Sequence, residues 1–269
     1  MPGMTTRRIL VISDTHIGSR YALVPPSFRS QHAGPAGVFM TYIWDCYRDM
    51  LRRLPPLDCV IVNGDAMEGE HPTLRSAPDA IEVSPLRQVD MAVETLGLLR
   101  EKTKHLWLIR GTGFHEGKWN EALEALGREL HAEPWADRRY SGEVLDGTFY
   151  GLRINAAHAM SSGAIYQGTL ADRTARFMAL AEAAGKTLPA DLIIRSHVHQ
   201  TGLGRFFDRW VLVTRCWKLI NPYAVAKMEY ARAVAGLDLG GHLITLNGDG
   251  LAFKDFAYSP YKSEARKLA

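Results

Sequence analysis

The stretch RILVISDTH, residues 8–16, decides how the chain is read. Residues 8–13 form a short apolar run of the kind that fills a buried strand. The run stops at Asp14-Thr15-His16, which puts a carboxylate and an imidazole where a strand would leave its sheet. The same arrangement recurs downstream. Residues 58–63 (DCVIVN) lead into Gly64-Asp65, and residues 105–110 (HLWLIR) into Gly111 and then His115-Glu116. Residues 152–157 (LRINAA) lead into His158, and residues 192–196 (LIIRS) into His197-Val198-His199. Two more runs, 210–215 and 242–246, read as strands without such endings.

Helical patterns fill the gaps at 38–54, 86–102, 120–130 and 168–184. The first ends at Pro55-Pro56, and Gly185 stands where a C-cap belongs after the last. Alternating strands and helices in the N-terminal half argue for a partly parallel sheet, and closer strand spacing afterwards argues for added antiparallel pairs. Segments 21–37 and 68–85 read as loops, long enough to suggest function. No linker divides the chain, so residues 1–269 are expected to form one α/β domain.

In an open α/β sheet, ligand sites lie beyond the carboxyl ends of the strands. Five strand ends carrying Asp or His therefore converge on one place. Alternate residues of an extended segment point the same way, which would aim Asp14 and His16 at a common centre. His197 and His199 share that spacing but separate if the chain turns. Mixed carboxylate and imidazole ligands suit Mn, Fe, Zn or Ni. Two such ions about 3.5–4 Å apart can hold the attacking and leaving oxygens of an in-line displacement.

Taken in order, these pieces resemble the calcineurin-like metallophosphoesterases, whose pattern is D-x-H, G-D, G-N-H-D/E, a lone H and G-H-x-H. The resemblance spans about residues 8 to 200. It implies a four-layer αββα sandwich of two mixed β-sheets and a centre of two divalent metals, manganese foremost. Asp14, His16 and His199 would hold one metal, His158 and His197 the other, and Asp65 would bridge them. Two positions depart from the pattern. Ser196 stands where the family has Gly, and Gly111-Thr112-Gly113-Phe114-His115-Glu116 replaces G-N-H-E. In this the chain looks like a subgroup familiar from bacteriophage genomes, with a G-T-x-x-H motif. His115 then has two readings. It either donates a proton to the leaving oxygen, steadied by Glu116, or replaces the missing Asn as ligand to the second metal.

Thr112 is a neutral hydroxyl and a poor metal ligand, so it is grouped with Arg20 as substrate-binding. The Arg20 guanidinium matches phosphate oxygens bidentately, and a plain surface arginine is its other reading. Asn63 is expected just behind the ligands, and Glu68 as a solvated loop carboxylate. His32, His71, His105, His131 and His242 are expected to be structural or solvent-facing, with a minor case for His71 touching substrate. The basic and aromatic residues of 205–227 could bind single-stranded nucleic acid. The preferred reading is strands with aromatics inward and cations outward.

The expected activity is metal-dependent hydrolysis of phosphate esters, phosphodiesters ahead of monoesters, by a hydroxide bridging the metals. Nucleic acid or a nucleotide is compatible as substrate, since the net charge of +3 is mildly basic. The alternative is a noncatalytic metal-bound scaffold for protein or nucleic acid. A structural zinc site is disfavoured because Cys46, Cys59 and Cys216 lie apart from the motifs and form no Cys-x-x-Cys pair. Those cysteines are expected to be reduced and buried. No window approaches the roughly 18 apolar residues of a membrane span, so no membrane partner is expected and a cytoplasmic protein fits.

Overall fold

In a computed structural model of the protein, β1 (Arg7–Ile12), β2 (Leu57–Asn63) and β3 (Thr103–Ile109) lie side by side and parallel. The structure describes residues 5–29, 35–70, 79–117, 120–159, 167–219 and 239–259. Every residue of β2 is buried, which explains its continuous apolar run: a central parallel strand is covered on both faces. The crossovers are α1 (Pro35–Arg53) and α2 (Pro85–Arg100). Pro85 opens α2 because its missing N–H costs nothing in the first turn.

The hairpin of β10 (Leu239–Asn247) and β11 (Gly250–Tyr258) extends this sheet antiparallel to β1, and the short β4 (Ser141–Gly142) closes the other edge. The order is β11-β10-β1-β2-β3-β4. A second sheet has the order β5-β6-β7-β9-β8. It comprises β5 (Val144–Phe149), β6 (Leu152–Ala157), β7 (Leu192–Arg195), β8 (Gly202–Phe206) and β9 (Arg209–Val213). Here β6, β7 and β9 are parallel, and β5 and β8 are antiparallel edges. The expected antiparallel pairs are thus present.

Three apolar clusters separate the layers. Ile9, Val11, Cys59 and Ile61 of the first sheet meet Ile154, Leu192, Ile194 and Leu212 of the second. On the outer face of the first sheet, Leu10, Val60 and Leu108 pack with α1, α2 and α4 (Glu121–Glu129). On the outer face of the second, Ile193 and Val211 pack against Leu170, Ala171 and Ala175 of α5 (Gln167–Ala183). The result is the expected αββα sandwich. The three cysteines are free and buried. No helix among the described residues is long and apolar enough to cross a membrane.

Each of the seven expected strands is present, with ends within a few residues. The sequence pattern does not mark β4, β5, β8 or β11. β5 (VLDGTF) and β8 (GLGRF) lie at sheet edges, are at most half-buried and carry glycine, so they lack an apolar run. His32 and His71 fall outside the described residues, as does much of the two long loops and of the 205–227 tract.

Candidate metal centre

Beyond β1 the backbone does not continue extended. Asp14 and His16 both take left-handed conformations, with φ of 50° and 40°. The expectation that an extended Asp14-x-His16 aims both side chains at one centre is therefore corrected: two left-handed residues turn them inward. The turn is held by ladder-like bonds, with Asp14 N–H donating to Gly64 O and His16 N–H to Asp65 O, each 3.0 Å. Asp65, His197 and His199 are also left-handed, at φ of 47°, 77° and 56°. Non-glycine residues rarely adopt this region, and such strain concentrates at functional sites.

The side chains gather into three groups, each able to hold a metal ion: Asp14, His16 and His199; Asp65, His158 and His197; and His16, Asp65 and His115. The turn at 197–199 sends His199 to the first group and His197 to the second. His199 Nε2 lies 3.2 Å from Asp14 Oδ1, and His158 Nε2 lies 3.1 Å from Asp65 Oδ2. His16 Nε2 is 3.9 Å from Asp14 Oδ1 and 4.0 Å from Asp65 Oδ2. Ligands about 2.0–2.2 Å from one ion stand about 3–4 Å from each other, so the spacing fits. Asp14 Oδ1, His16 Nε2 and His158 Nε2 are buried and make no hydrogen bond. Such atoms are costly unless a cation meets them. The residues present therefore fit divalent ions.

Three of the rings meet a partner on the far side, though His16 Nδ1 makes no aligned hydrogen bond there. His158 Nδ1 lies 2.7 Å from Asn63 O, His115 Nδ1 2.7 Å from Glu68 O, and His16 Nδ1 2.9 Å from Glu68 Oε2. Pinning Nδ1 fixes the tautomer and offers Nε2 to a metal. Asn63 lies behind the ligands as expected, its amide donating to Ser196 Oγ (2.5 Å) and Ala157 O (3.1 Å). Ser196, in the place of the family's Gly, also accepts from Thr214 Oγ1 at 2.7 Å.

Glu68 corrects its expectation. It is 1% exposed, and both its oxygens accept from Lys218 Nζ at 2.7 Å. Lys218 and Arg209, which is buried on Glu182, depart from the outward reading of the 205–227 cations, whereas Arg205 is exposed as expected. The neighbouring Trp217 N–H donates to Asp14 O (3.0 Å), which brings Lys218 to the centre. No spacing in the sequence signals this pair.

Electrostatics follow from the crowding. Burial would raise the Asp14 carboxyl, but His199 and His158 outweigh it and hold it far below the usual range. Asp65 is likewise depressed by His158 against burial. Burial would lower His158, yet Asp65 and Asp14 raise it to about 9. Burial, Lys218 and His115 push His16 down to about 3. Burial also lowers His115 and His197. Two buried carboxylates thus favour positive charge beside them, and both His158 and His199 are raised.

Thr112 touches Asp65: its N–H donates to Oδ1 at 2.7 Å and its hydroxyl at 3.1 Å. It orients the Asp65 carboxylate, which gives the G-T pair a physical role. Gly111 makes this possible, because a Cβ there would stand 2.1 Å from Asp65 Oδ1. Glu116, at the end of α3 (Gly113–Glu116), is tied to the loop that precedes His115. Its Oε2 accepts from Gly111 N–H at 2.7 Å, and burial and Asp65 raise it to about 8. The backbone N–H of Arg20 donates to Asp79 O (2.9 Å), and its side-chain Nε is buried without a hydrogen bond.

No family model and no curated protein sequence matches the chain. Among solved structures it is similar to Vps29 from Cryptosporidium parvum, with 12% identity, TM-score 0.49, and 94% of this chain and 99% of that one covered. It is also similar to Zn2+-complexed Vps29 from Entamoeba histolytica (14%, TM-score 0.44, 93% and 99%). A third similar structure is an archaeal phosphodiesterase (10%, TM-score 0.43, 93% and 99%). These likenesses are weak, and the architecture stands on the strand pairing itself.

Proposed function

We propose that this chain is a dinuclear metal-dependent phosphoesterase acting on phosphodiesters. One observation carries the reading: buried Asp and His atoms without hydrogen bonds, spaced as metal ligands, around the shared residue Asp65. In it, Asp14, His16 and His199 would hold one ion and His158 and His197 the other, with Asp65 placed between the two groups. Manganese is the ion the family resemblance favours, and iron, zinc and nickel also suit this imidazole-rich set. The chemistry a divalent pair would supply there is polarisation of the phosphoryl oxygens and activation of water.

The chain's own residues supply orientation. Glu68 and Asn63 lock three imidazoles, and Thr112 locks Asp65. Burial lowers His115, so its ring is neutral near pH 7 and suited to accept rather than donate. It groups with His16 and Asp65, which favours a ligand role there over proton donation.

The test is to strip the protein with chelator, restore manganese, and assay a chromogenic phosphodiester beside the matching monoester. Metal-dependent turnover, faster on the diester and abolished by Asp65→Ala and His199→Ala, is expected. Two bound metals without turnover on either ester would leave two readings, a very selective enzyme or a binding scaffold. A His115→Ala protein that keeps both metals but loses turnover would return His115 to the proton-donor role.

A further inference from the structure

Outside the ligand cluster, His242 of β10 is 1% exposed and engaged at both ring nitrogens. Nδ1 lies 2.6 Å from Oδ1 of Asp255, its cross-strand neighbour on β11. Nε2 accepts the Arg215 backbone N–H at 3.2 Å, and the Thr201 hydroxyl stands 3.2 Å from the same atom. A ring nitrogen that accepts carries no hydrogen, so Nδ1 bears it and points it at the carboxylate. The Arg215 guanidinium donates to the other oxygen, Asp255 Oδ2, at 2.9 Å, which closes a ring of bonds. His242 and then Arg215 hold the Asp255 carboxyl far below the usual range, against its burial.

We propose that His242 and Asp255 are positioning residues of the metal centre, acting through Arg215 and Thr201 on the two loops that carry Lys218 and His199. The inference rests on the metal-centre reading above and is independent of turnover.

What those loops do next carries it. Arg215 opens a run of four residues that reach back toward the cluster. The Cys216 carbonyl accepts from Gly240 N–H at 2.9 Å, which ties the run to β10 a second time, and the Cys216 thiol lies against His199. Trp217 N–H donates to Asp14 O at 3.0 Å. Lys218 Nζ holds both Glu68 oxygens at 2.7 Å. Thr201 stands two positions after His199, and its hydroxyl also donates to Val213 O at 3.1 Å, just before the same run. One buried imidazole thus fixes both loops where they leave the second sheet. His242 is itself paired with Val11 of β1, three positions before Asp14. The network therefore joins the first sheet to the loops of the second on the side of Asp14, His16 and His199. His158 is oriented from elsewhere, with its Nδ1 on Asn63 O.

The test measures manganese binding by competition with a chromophoric chelator, in two backgrounds. His197→Ala leaves the ion of Asp14, His16 and His199, and His199→Ala leaves that of Asp65, His158 and His197. In the first background Asp255→Ala should weaken binding about three- to tenfold, the size of coupling carried by packed networks. In the second it should change binding by no more than about twofold. Asp255→Asn, which keeps an acceptor for His242 Nδ1, should recover most of the loss. The Asp255 side chain is 44% exposed, so its replacement leaves the core filled. Should Asp255→Ala still fold poorly, Thr201→Val beside Thr201→Ser makes the same comparison. Equal weakening in both backgrounds, or none in the first, would overturn the positioning role and reduce the network to a general support of the fold. No manganese bound by the wild-type protein would overturn the metal-centre reading and this inference with it.

Discussion

Replacing Lys218 with Met removes the cation that both Glu68 oxygens accept from, each at 2.7 Å. Both partners are buried, with Glu68 1% and Lys218 8% exposed. Breaking such a pair by deleting one member costs about 3–5 kcal/mol. Glu68 keeps His16 at 2.9 Å, so the lower end, about 3 kcal/mol in metal-free protein, is expected. A Glu68 relieved of Lys218 also takes up a proton more readily, which loosens its hold on His16 Nδ1. Losing a partner that orients a metal ligand typically weakens metal binding about 10–100-fold. Urea denaturation in chelator reads the first quantity, and competition with a chromophoric chelator reads the second. Lys218→Met/Glu68→Gln removes both charges together and should be more stable than Lys218→Met alone. A single variant within about 0.5 kcal/mol of wild type, with unchanged metal affinity, would refute the claim that Lys218 supports the centre.

Three further outcomes are expected. In chelated protein, stability should fall between pH 6.5 and 9. His158, raised from 6.5 to about 9, contributes stability that is complete below 6.5 and lost as pH climbs, and Glu116, raised from 4.5 to about 8, acts in the same direction. His16, lowered to about 3, opposes them only below 6.5, so a urea midpoint that rises over this window would contradict the arrangement. Gly64→Ala should cost about 2 kcal/mol or more and impair metal binding, because Gly64 has φ of +87° and a Cβ would lie 2.3 Å from His158 Cγ. Unchanged melting and metal content would show that the approach is relieved elsewhere. Thr112→Val removes the 3.1 Å hydroxyl bond to Asp65 but keeps the 2.7 Å backbone one, so metal affinity should drop about tenfold while Thr112→Ser restores it. Equal affinities across the three proteins would reduce Thr112 to a bystander.

The central strands are legible in the sequence because burial on both faces writes an unbroken apolar run, as in β2. The cluster residues are legible too, since Asp or His placed directly after such runs repeats too regularly for ordinary turns. What stays hidden has two physical causes. Edge strands such as β5 and β8 are held by backbone pairing to a neighbour, which leaves little side-chain signature. The supporting residues act across long separations: Lys218 meets Glu68 150 positions away, and Asn63 meets Ser196 133 positions away. Nothing local distinguishes a buried lysine from a solvated one before the chain is folded. Asp14 and His16 teach a subtler point. Strand periodicity predicts their convergence, yet two left-handed residues achieve it.

The ligand set is divided between the layers: Asp14, His16 and Asp65 follow β1 and β2 of one sheet, while His158, His197 and His199 follow β6 and β7 of the other. Each group that could hold Asp14 or Asp65 with His158, His197 or His199 therefore reaches across the seam. The centre works as a vernier for how one sheet is shifted along the other. A slide of a fraction of an ångström, too small to disturb either sheet, changes every cross-layer ligand distance at once. Repacking the distant filling of that seam, at Ile61 or Ile194, would then be felt first as a change in which ion the site prefers.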